Sequence, residues 1–138
     1  MIYGEAGANR STVNLDNLSG SAGFVILGDG ADDGLGISVS GAGDINGDGY
    51  ADIIVGANRA DDGGQDAGEA YVIFGTGQGF GQTVGGVQTL DLSELNATTG
   101  FAIRGDFAGD GLGTSVSGAG DINGDGYDDL IVGALKCR

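Results

Sequence analysis

Two nine-residue segments carry oxygen-bearing side chains at the same regular spacing. They read DINGDGYAD at 44–52 and DINGDGYDD at 121–129, with Asp or Asn at positions 1, 3, 5 and 9 and glycine at position 6. Ca²⁺ takes six to eight oxygen ligands at about 2.3–2.6 Å, and alternate residues of a tight loop aim their oxygens at one point. Glycine at position 6 permits the sharp turn, and the carbonyl of position 7 adds a backbone ligand. The spacing therefore predicts two Ca²⁺ sites, with ligands Asp44, Asn46, Asp48, Tyr50 and Asp52 in one and Asp121, Asn123, Asp125, Tyr127 and Asp129 in the other.

These segments differ from an EF-hand at their ends. An EF-hand has a bidentate Glu at position 12 and a helix on either side, whereas position 12 here is Val55 or Val132 inside an apolar run. The last ligand is then the aspartate at position 9, and each loop should join two strands. An Asx-rich turn without metal is the alternative, and Mg²⁺ suits the segments less well than Ca²⁺ because it prefers a compact, water-rich octahedral shell.

The loops lie inside an internal duplication. Residues 23–57 align with residues 100–134 at an offset of 77, with 28 of 35 positions identical and no gap. Weaker matches at the same offset continue upstream, as for Leu15 with Leu92 and Leu18 with Leu95. We expect one repeated segment over 1–138, with repeats at about 23–99 and 100–138.

Short apolar runs bounded by glycine and aspartate predict an all-β fold. The runs at 24–27, 37–40, 53–55 and 70–74 have strand length and carry β-branched or aromatic residues. Only 90–95 is a candidate for a helical turn. Four short antiparallel strands per repeat, with glycines that permit close approach of backbones, are typical of β-propeller blades. A two-sheet sandwich formed by duplication is the alternative.

Further aspartates lie in the connections between the predicted strands. We expect them in solvated loops, with extra cation ligands or acceptors of backbone hydrogen bonds as the alternative; they are Asp29, Asp32, Asp33, Asp61, Asp62, Asp66, Asp106 and Asp110.

In these features the chain resembles the FG-GAP repeat of integrin-α-like β-propellers. The matching pattern is a small-residue strand at 35–40, the loop Gly-Asp-x-Asn-Gly-Asp-Gly at 43–49, and strands at 52–57 and 68–75. The resemblance implies Ca²⁺ binding by the ten residues above and an extracellular or cell-surface location. Leu35-Gly36 and Leu112-Gly113 depart from the family's Phe-Gly. The first residues lack the basic and apolar regions of a signal peptide.

Charge and composition narrow the class of partner. Of 138 residues, 32 are glycine, 20 are acidic and 5 are basic, which gives a formal net charge of −15. Such a polyanion is a poor partner for nucleic acid or anionic membranes and a good one for divalent cations, and no apolar run is long enough for membrane insertion. The chain has no histidine and one cysteine, Cys137. We therefore expect that the chain is a binding, adhesion or scaffolding module with a protein or carbohydrate ligand, and that it is not an enzyme. The alternative is a propeller hydrolase or lyase that uses paired aspartates.

The alignment assigns strand numbers to the whole chain. The order is 3-4, 1-2-3-4, 1-2, or two blade equivalents, with Met1–Gly4 as the end of a third strand. Complete propellers have about four to eight blades. One hypothesis is a ring of identical copies, with a trimer favoured over a tetramer, in which each 3-4 pair completes a neighbour's 1-2 pair. The other is that the chain is an excised fragment of a longer bacterial surface or secreted propeller protein.

Overall fold

The computed structural model describes residues 1–4 and 12–136, and these residues form nine strands and two short 3₁₀ turns. The strands are β1 (Val25–Leu27), β2 (Leu35–Gly43), β3 (Asp52–Ala57), β4 (Glu69–Ile73), β5 (Gln82–Val84), β6 (Val87–Asp91), β7 (Gly100–Arg104), β8 (Ser115–Gly120) and β9 (Asp129–Gly133). The 3₁₀ turns are Leu15–Asn17 and Leu92–Glu94. The chain divides into two compact units, one of Met1–Asp29 with Thr76–Glu94 and the other of Gly30–Gly75 with the chain from Leu95 onward.

The second unit contains one complete blade. Its four strands lie in the order β2-β3-β4-β7, and every neighbouring pair is antiparallel. β3 and β4 are the buried strands of the sheet. Their apolar side chains Ile54 and Val72 have no exposed surface. This sheet is the predicted 1-2-3-4 blade, with the fourth strand reached through the long connection after β4.

A strand pair, β8 with β9, packs against this blade. The two strands are antiparallel, and their pairing shifts register between Gly118 and Gly120. The pairing of β2 with β3 shifts register at the corresponding place, between Gly41 and Gly43. Val116, Leu130 and Val132 pack on the buried cluster formed by Ala42, Ile54, Ala70 and Val72. Burial of aliphatic side chains on both sides of this contact stabilises the unit by about 0.8 kcal/mol per buried CH₂. The pair is the predicted 1-2 half of a second blade.

The first unit contains a feature that the duplication does not predict. A hairpin, β5–β6, turns at Gly85-Gly86, and β6 also pairs with β1 in parallel. Both glycines have positive φ, which suits the two-residue turns of hairpins. The sequence signal for this hairpin is the pair of glycines between Gln-Thr-Val and Val-Gln-Thr.

The candidate helical turn at 90–95 is a single 3₁₀ turn. Leu92–Glu94 forms it, while Leu90 and Asp91 belong to β6. Leu15–Asn17 forms a second turn at the offset of 77 residues. Among the residues that the structure describes, neither turn has the length and apolar character needed to cross a membrane.

Candidate cation-binding loops

The first candidate loop connects β2 to β3 and is organised around the carboxylate of Asp44. Asp44 Oδ1 accepts hydrogen bonds from the backbone N–H groups of Gly47 (2.8 Å) and Asp48 (3.0 Å), and Oδ2 accepts one from Gly49 (2.9 Å). Gly49, at position 6, has φ +89°, a conformation that favours glycine. The loop therefore coils around the carboxylate of Asp44, which is the first predicted ligand.

The next two predicted ligands lie side by side in the same coil. Asn46 Oδ1 accepts from Asp48 N–H (3.0 Å), and Asp48 Oδ1 accepts from Tyr50 N–H (2.9 Å). The Asn46 amide also donates to Asp48 Oδ2 (2.9 Å). Asn46 and Asp48 are exposed, so their oxygens are accessible to an ion from solvent.

The last predicted ligand, Asp52, is the only fully buried one in this loop. Its exposed fraction is 1%. Asp52 Oδ2 accepts from Ile45 N–H (2.8 Å), and Oδ1 accepts from Gly75 N–H (2.7 Å), just beyond the end of β4. Through these two hydrogen bonds Asp52 connects the start and the end of the loop to the end of β4, the third strand of the blade.

The second loop, between β8 and β9, repeats this geometry. Asp121 accepts from the N–H groups of residues 124, 125 and 126 at 2.7, 3.1 and 2.9 Å. Asn123 accepts from Asp125 N–H (2.9 Å), and Asp125 accepts from Tyr127 N–H (3.0 Å). Asp129 accepts from Ile122 N–H (2.9 Å), as Asp52 does from Ile45, but it is only half-buried.

The two loops contact each other, and one residue of this contact, Asp128, is outside the predicted ligand set. Asp128 Oδ2 accepts from Asp44 N–H (2.8 Å), and Asp128 N–H donates to the Asp44 carbonyl (3.2 Å). The ring of Tyr127 lies against Gly47, where a Cβ would come within 2.5 Å of it. The sequence signal for this contact is small: position 8 is Asp128 in one loop and Ala51 in the other.

The donor set fits a hard divalent cation. At its predicted ligand positions each loop presents three carboxylates and one amide oxygen, the oxygen ligands that Ca²⁺ prefers. A carboxylate oxygen has about two acceptor positions, so one that accepts a single N–H retains capacity for an ion. The Tyr50 and Tyr127 side chains are half exposed, at 49% each, so their predicted contribution is the backbone carbonyl alone.

A second charged group lies on the blade away from the loops. Glu69 is 1% exposed and accepts hydrogen bonds from Tyr71 Oη and from Arg104 Nε (2.9 Å). Arg104 also donates to Asp62 (2.7 Å). The ion pair with Arg104 compensates the charge of the buried Glu69 carboxylate, and no local sequence pattern indicates these contacts.

The burial of Asp110 differs from the sequence prediction, which is wrong for this residue. Asp110 is expected, with the other aspartates of the connections, in a solvated loop. Its exposed fraction is instead 8%, and its carbonyl accepts from the N–H groups of Leu135 (2.7 Å) and Lys136 (3.2 Å). The chain segment after β9 covers it. That coverage comes from tertiary packing that a local composition argument cannot include.

The family comparison matches three of the four strands of the blade and both strands of the half-blade. The family model of the FG-GAP repeat aligns with residues 35–73 and 112–134. These ranges contain both candidate loops, together with strands β2, β3, β4, β8 and β9.

Three curated proteins are similar over most of this chain. The chain is 35% identical to integrin alpha pat-2 of Caenorhabditis briggsae and 36% identical to that of Caenorhabditis elegans, over 82% of its length in each case. It is 33% identical to integrin alpha-PS2 of Drosophila melanogaster over 74% of its length. The chain spans 8%, 8% and 6% of these relatives, respectively.

Proposed function

Because this chain is built of FG-GAP repeats and belongs with the integrin-alpha-like propellers, we propose that it is a Ca²⁺-stabilised propeller module for binding or adhesion. The observation that carries the proposal is the repeated loop. In both copies the first aspartate accepts three backbone N–H bonds, and the residues at positions 3 and 5 lie on the same coil.

Bound Ca²⁺ would supply two positive charges to each loop and hold the three carboxylates together. Without a cation, three like charges on nine residues repel one another. The residues at positions 1, 3, 5 and 7 are exposed or partly exposed, and the position 9 aspartate anchors the loop to the sheet. The cation would therefore stabilise the loop-to-strand connection on one edge of each blade.

Binding and adhesion are favoured over catalysis. The acidic residues of the loops are assigned to cations, and the chain contains no histidine to act as a base. The relatives are named integrin alpha, and this chain covers a small part of each. We propose an extracellular or cell-surface location and a protein or carbohydrate ligand for the complete propeller.

Two arrangements would supply the remaining blades. In one, copies of the chain form a ring, with a trimer favoured over a tetramer, because two blade equivalents per copy give six or eight blades. In the other, a longer protein supplies them. The small share of the relatives that the chain covers is compatible with the second arrangement.

Thermal unfolding in CaCl₂, MgCl₂ and EDTA tests the cation proposal. At ten times the dissociation constant, ligand binding stabilises by about 1.4 kcal/mol per site, so the Tm should rise in millimolar Ca²⁺ and rise less in Mg²⁺. A double variant, Asp48→Ala with Asp125→Ala, should lose the Ca²⁺-dependent rise. An equal Tm of the unsubstituted chain in Ca²⁺ and in EDTA would refute the proposal.

A further inference from the structure

Asparagine precedes glycine at two places in the chain, and both places are in the candidate cation loops. Of the seven asparagines in the sequence, only Asn46 and Asn123 are followed by glycine. Each of them occupies position 3 of its loop. The other asparagines precede leucine, arginine or alanine, whose side chains crowd their own backbone nitrogen. The duplicated loop therefore repeats one chemically labile pair of residues, since asparagine is among the thermolabile residue types.

The characteristic reaction of this pair is an intramolecular substitution. The backbone nitrogen of the glycine attacks Cγ of the asparagine, a C–N bond forms, and the side-chain amide leaves as ammonia together with the glycine amide proton. Water then adds across one of the two C–N bonds between the backbone nitrogen and a carbonyl carbon in the resulting succinimide. Opening at Cγ gives aspartate, and opening at the backbone carbonyl gives isoaspartate, whose main chain is longer by a methylene group. Glycine favours the attack because it has no Cβ and reaches a wide range of backbone conformations.

Hydrogen bonds hold the reacting groups of the first loop away from this attack. Asn46 Oδ1 accepts from Asp48 N–H (3.0 Å), and the Asn46 amide donates to Asp48 Oδ2 (2.9 Å). The N–H of Gly47, whose nitrogen is the attacking atom, donates to Asp44 Oδ1 (2.8 Å). The attack requires both the Asn46 side chain and the Gly47 nitrogen to leave these partners. The closed coil therefore protects Asn46.

The second loop holds its pair in the same way. Asn123 Oδ1 accepts from Asp125 N–H (2.9 Å), and the Asn123 amide donates to Asp125 Oδ2 (3.0 Å). Gly124 N–H donates to Asp121 Oδ1 (2.7 Å). The same three hydrogen bonds must break in either loop before the succinimide forms.

The residues that keep each pair closed are predicted cation ligands. Asp44 and Asp48, and their counterparts Asp121 and Asp125, are exposed or partly exposed. Without a cation the carboxylates of one short loop repel one another, so the coil opens more often. A bound Ca²⁺ would compensate this charge, and an asparagine oxygen held as a ligand would keep its Cγ in the coil. The ion therefore protects the asparagine that helps to bind it.

We propose that Asn46 and Asn123 are sites of spontaneous deamidation from which bound Ca²⁺ protects the chain. This inference rests on the proposed function, because the protecting ion is the one that the loops are proposed to bind. Water is the only co-reactant. The aspartate product adds a carboxylate to the loop, whereas the longer main chain of isoaspartate displaces positions 5, 7 and 9 relative to position 1. Loss of Ca²⁺ thereby becomes irreversible in the chains that form isoaspartate.

Occupancy of the loops determines the expected rates. If the open, cation-free loop is the form that reacts, the rate follows the fraction of loops without Ca²⁺. At ten times the dissociation constant that fraction is about one tenth, so deamidation should be about tenfold slower than in EDTA. A rate determined by the asparagine-glycine pair alone would be the same in both solutions.

Peptide mass spectrometry of the incubated chain tests the proposal. Samples are held at neutral pH in EDTA, or in CaCl₂ at about ten times the measured dissociation constant, and are digested at successive times. Replacement of NH₂ by OH raises the mass of a peptide by about 1 Da. In EDTA the gain should occur at Asn46 and Asn123, and Ca²⁺ should slow it about tenfold. Asn14, Asn17 and Asn96 are internal controls and should keep their mass.

A synthetic peptide of residues 44–52 provides the reference rate without a folded loop. No mass gain at Asn46 or Asn123 in EDTA, over a time in which this peptide deamidates completely, would overturn the proposal. Calcium binding after incubation is the second readout. Chain aged in EDTA and returned to Ca²⁺ should bind fewer than two ions, in proportion to its isoaspartate, whereas chain aged in Ca²⁺ should bind two. Full binding by chain rich in isoaspartate would overturn the irreversible loss.

Two variants test whether the order of the loop determines the rate. Asp128 Oδ2 accepts from Asp44 N–H (2.8 Å), so Asp128→Ala should loosen the first loop. In EDTA the ratio of the Asn46 rate to the Asn123 rate should rise in Asp128→Ala. The ratio should stay unchanged in Asp106→Ala, which removes the same charge from an exposed position. An unchanged ratio in both variants would contradict protection by the closed loop.

The deamidation proposal and the cation proposal fail in different ways. Calorimetric titration of freshly prepared chain with CaCl₂ measures binding before any modification. Two bound Ca²⁺ per chain with equal deamidation rates in CaCl₂ and EDTA would reject protection by the ion alone. Two bound Ca²⁺ without mass gain at Asn46 and Asn123 in EDTA would reject the modification sites alone. Failure of the fresh chain to bind Ca²⁺ would reject the cation proposal.

Discussion

Asp128 and Asp44 exchange two hydrogen bonds that join the candidate cation loops of adjacent repeats. The Asp128 carboxylate accepts from Asp44 N–H at 2.8 Å, and Asp128 N–H donates to the Asp44 carbonyl at 3.2 Å. Asp44 is also the residue around which the first loop coils. A side chain of the second loop therefore fixes the backbone of the first loop at its first predicted ligand.

Asp128→Ala should loosen the first loop. Loss of the bond to Asp44 N–H should lower the free energy of unfolding by about 1–2 kcal/mol, and Ca²⁺ should bind the first loop more weakly. Asp106→Ala removes the same charge from an exposed position and should change stability by less than about 0.5 kcal/mol. Urea unfolding in EDTA and calorimetry in Ca²⁺ measure the two effects. Equal behaviour of the two variants would contradict a role for the contact.

Asp52→Asn should destabilise the blade even without metal. The buried carboxylate accepts two backbone N–H bonds, and an amide has only one oxygen, so its NH₂ group must face an N–H. One unsatisfied buried donor costs about 1–3 kcal/mol. Asp48→Asn, on the exposed part of the same loop, is the matched control. Urea unfolding of both variants in EDTA should show a lower free energy of unfolding for Asp52→Asn only. Equal free energies for the two variants would contradict a stabilising role of the hydrogen bonds that Asp52 accepts.

Gly113→Ala tests the close approach between the half-blade and the blade. A Cβ at residue 113 would lie 2.1 Å from the Glu69 carbonyl oxygen. Gly86 has nearly the same φ, +87° against +85°, but no atom lies within 4 Å of the place that its Cβ would take. Both substitutions cost about 1–2 kcal/mol for the left-handed backbone, and crowding at residue 113 should add about 1–3 kcal/mol. Equal losses in thermal unfolding would contradict the packing of β8–β9 on the blade.

The tight loops at 44–52 and 121–129 and the blade could be predicted because their signals are local. Spacing of Asp and Asn around a position 6 glycine predicted a tight loop between two strands, and apolar runs between glycines predicted β2, β3 and β4. The offset between repeats then assigned the fourth strand, β7, despite the long connection that precedes it. These features depend on residues close together in sequence or on a comparison of the chain with itself.

The remaining features depend on contacts between distant segments. Asp128 reaches across to the other loop, Glu69 is buried against Arg104, and Asp110 is covered by the chain after β9. None of these partners is implied by the residue's own neighbours. The parallel pairing of β1 with β6 was missed for the same reason, because it joins two segments that are distant in the sequence.

The stoichiometry of Ca²⁺ binding is the most direct test of the central claim. Calorimetric titration of the chelator-treated chain should give two Ca²⁺ per chain, Asp48→Ala and Asp125→Ala should each give one, and Asp106→Ala should still give two. No binding to the unsubstituted chain, or two ions bound by the chain that carries both Asp48→Ala and Asp125→Ala, would contradict assignment of the ions to these two loops.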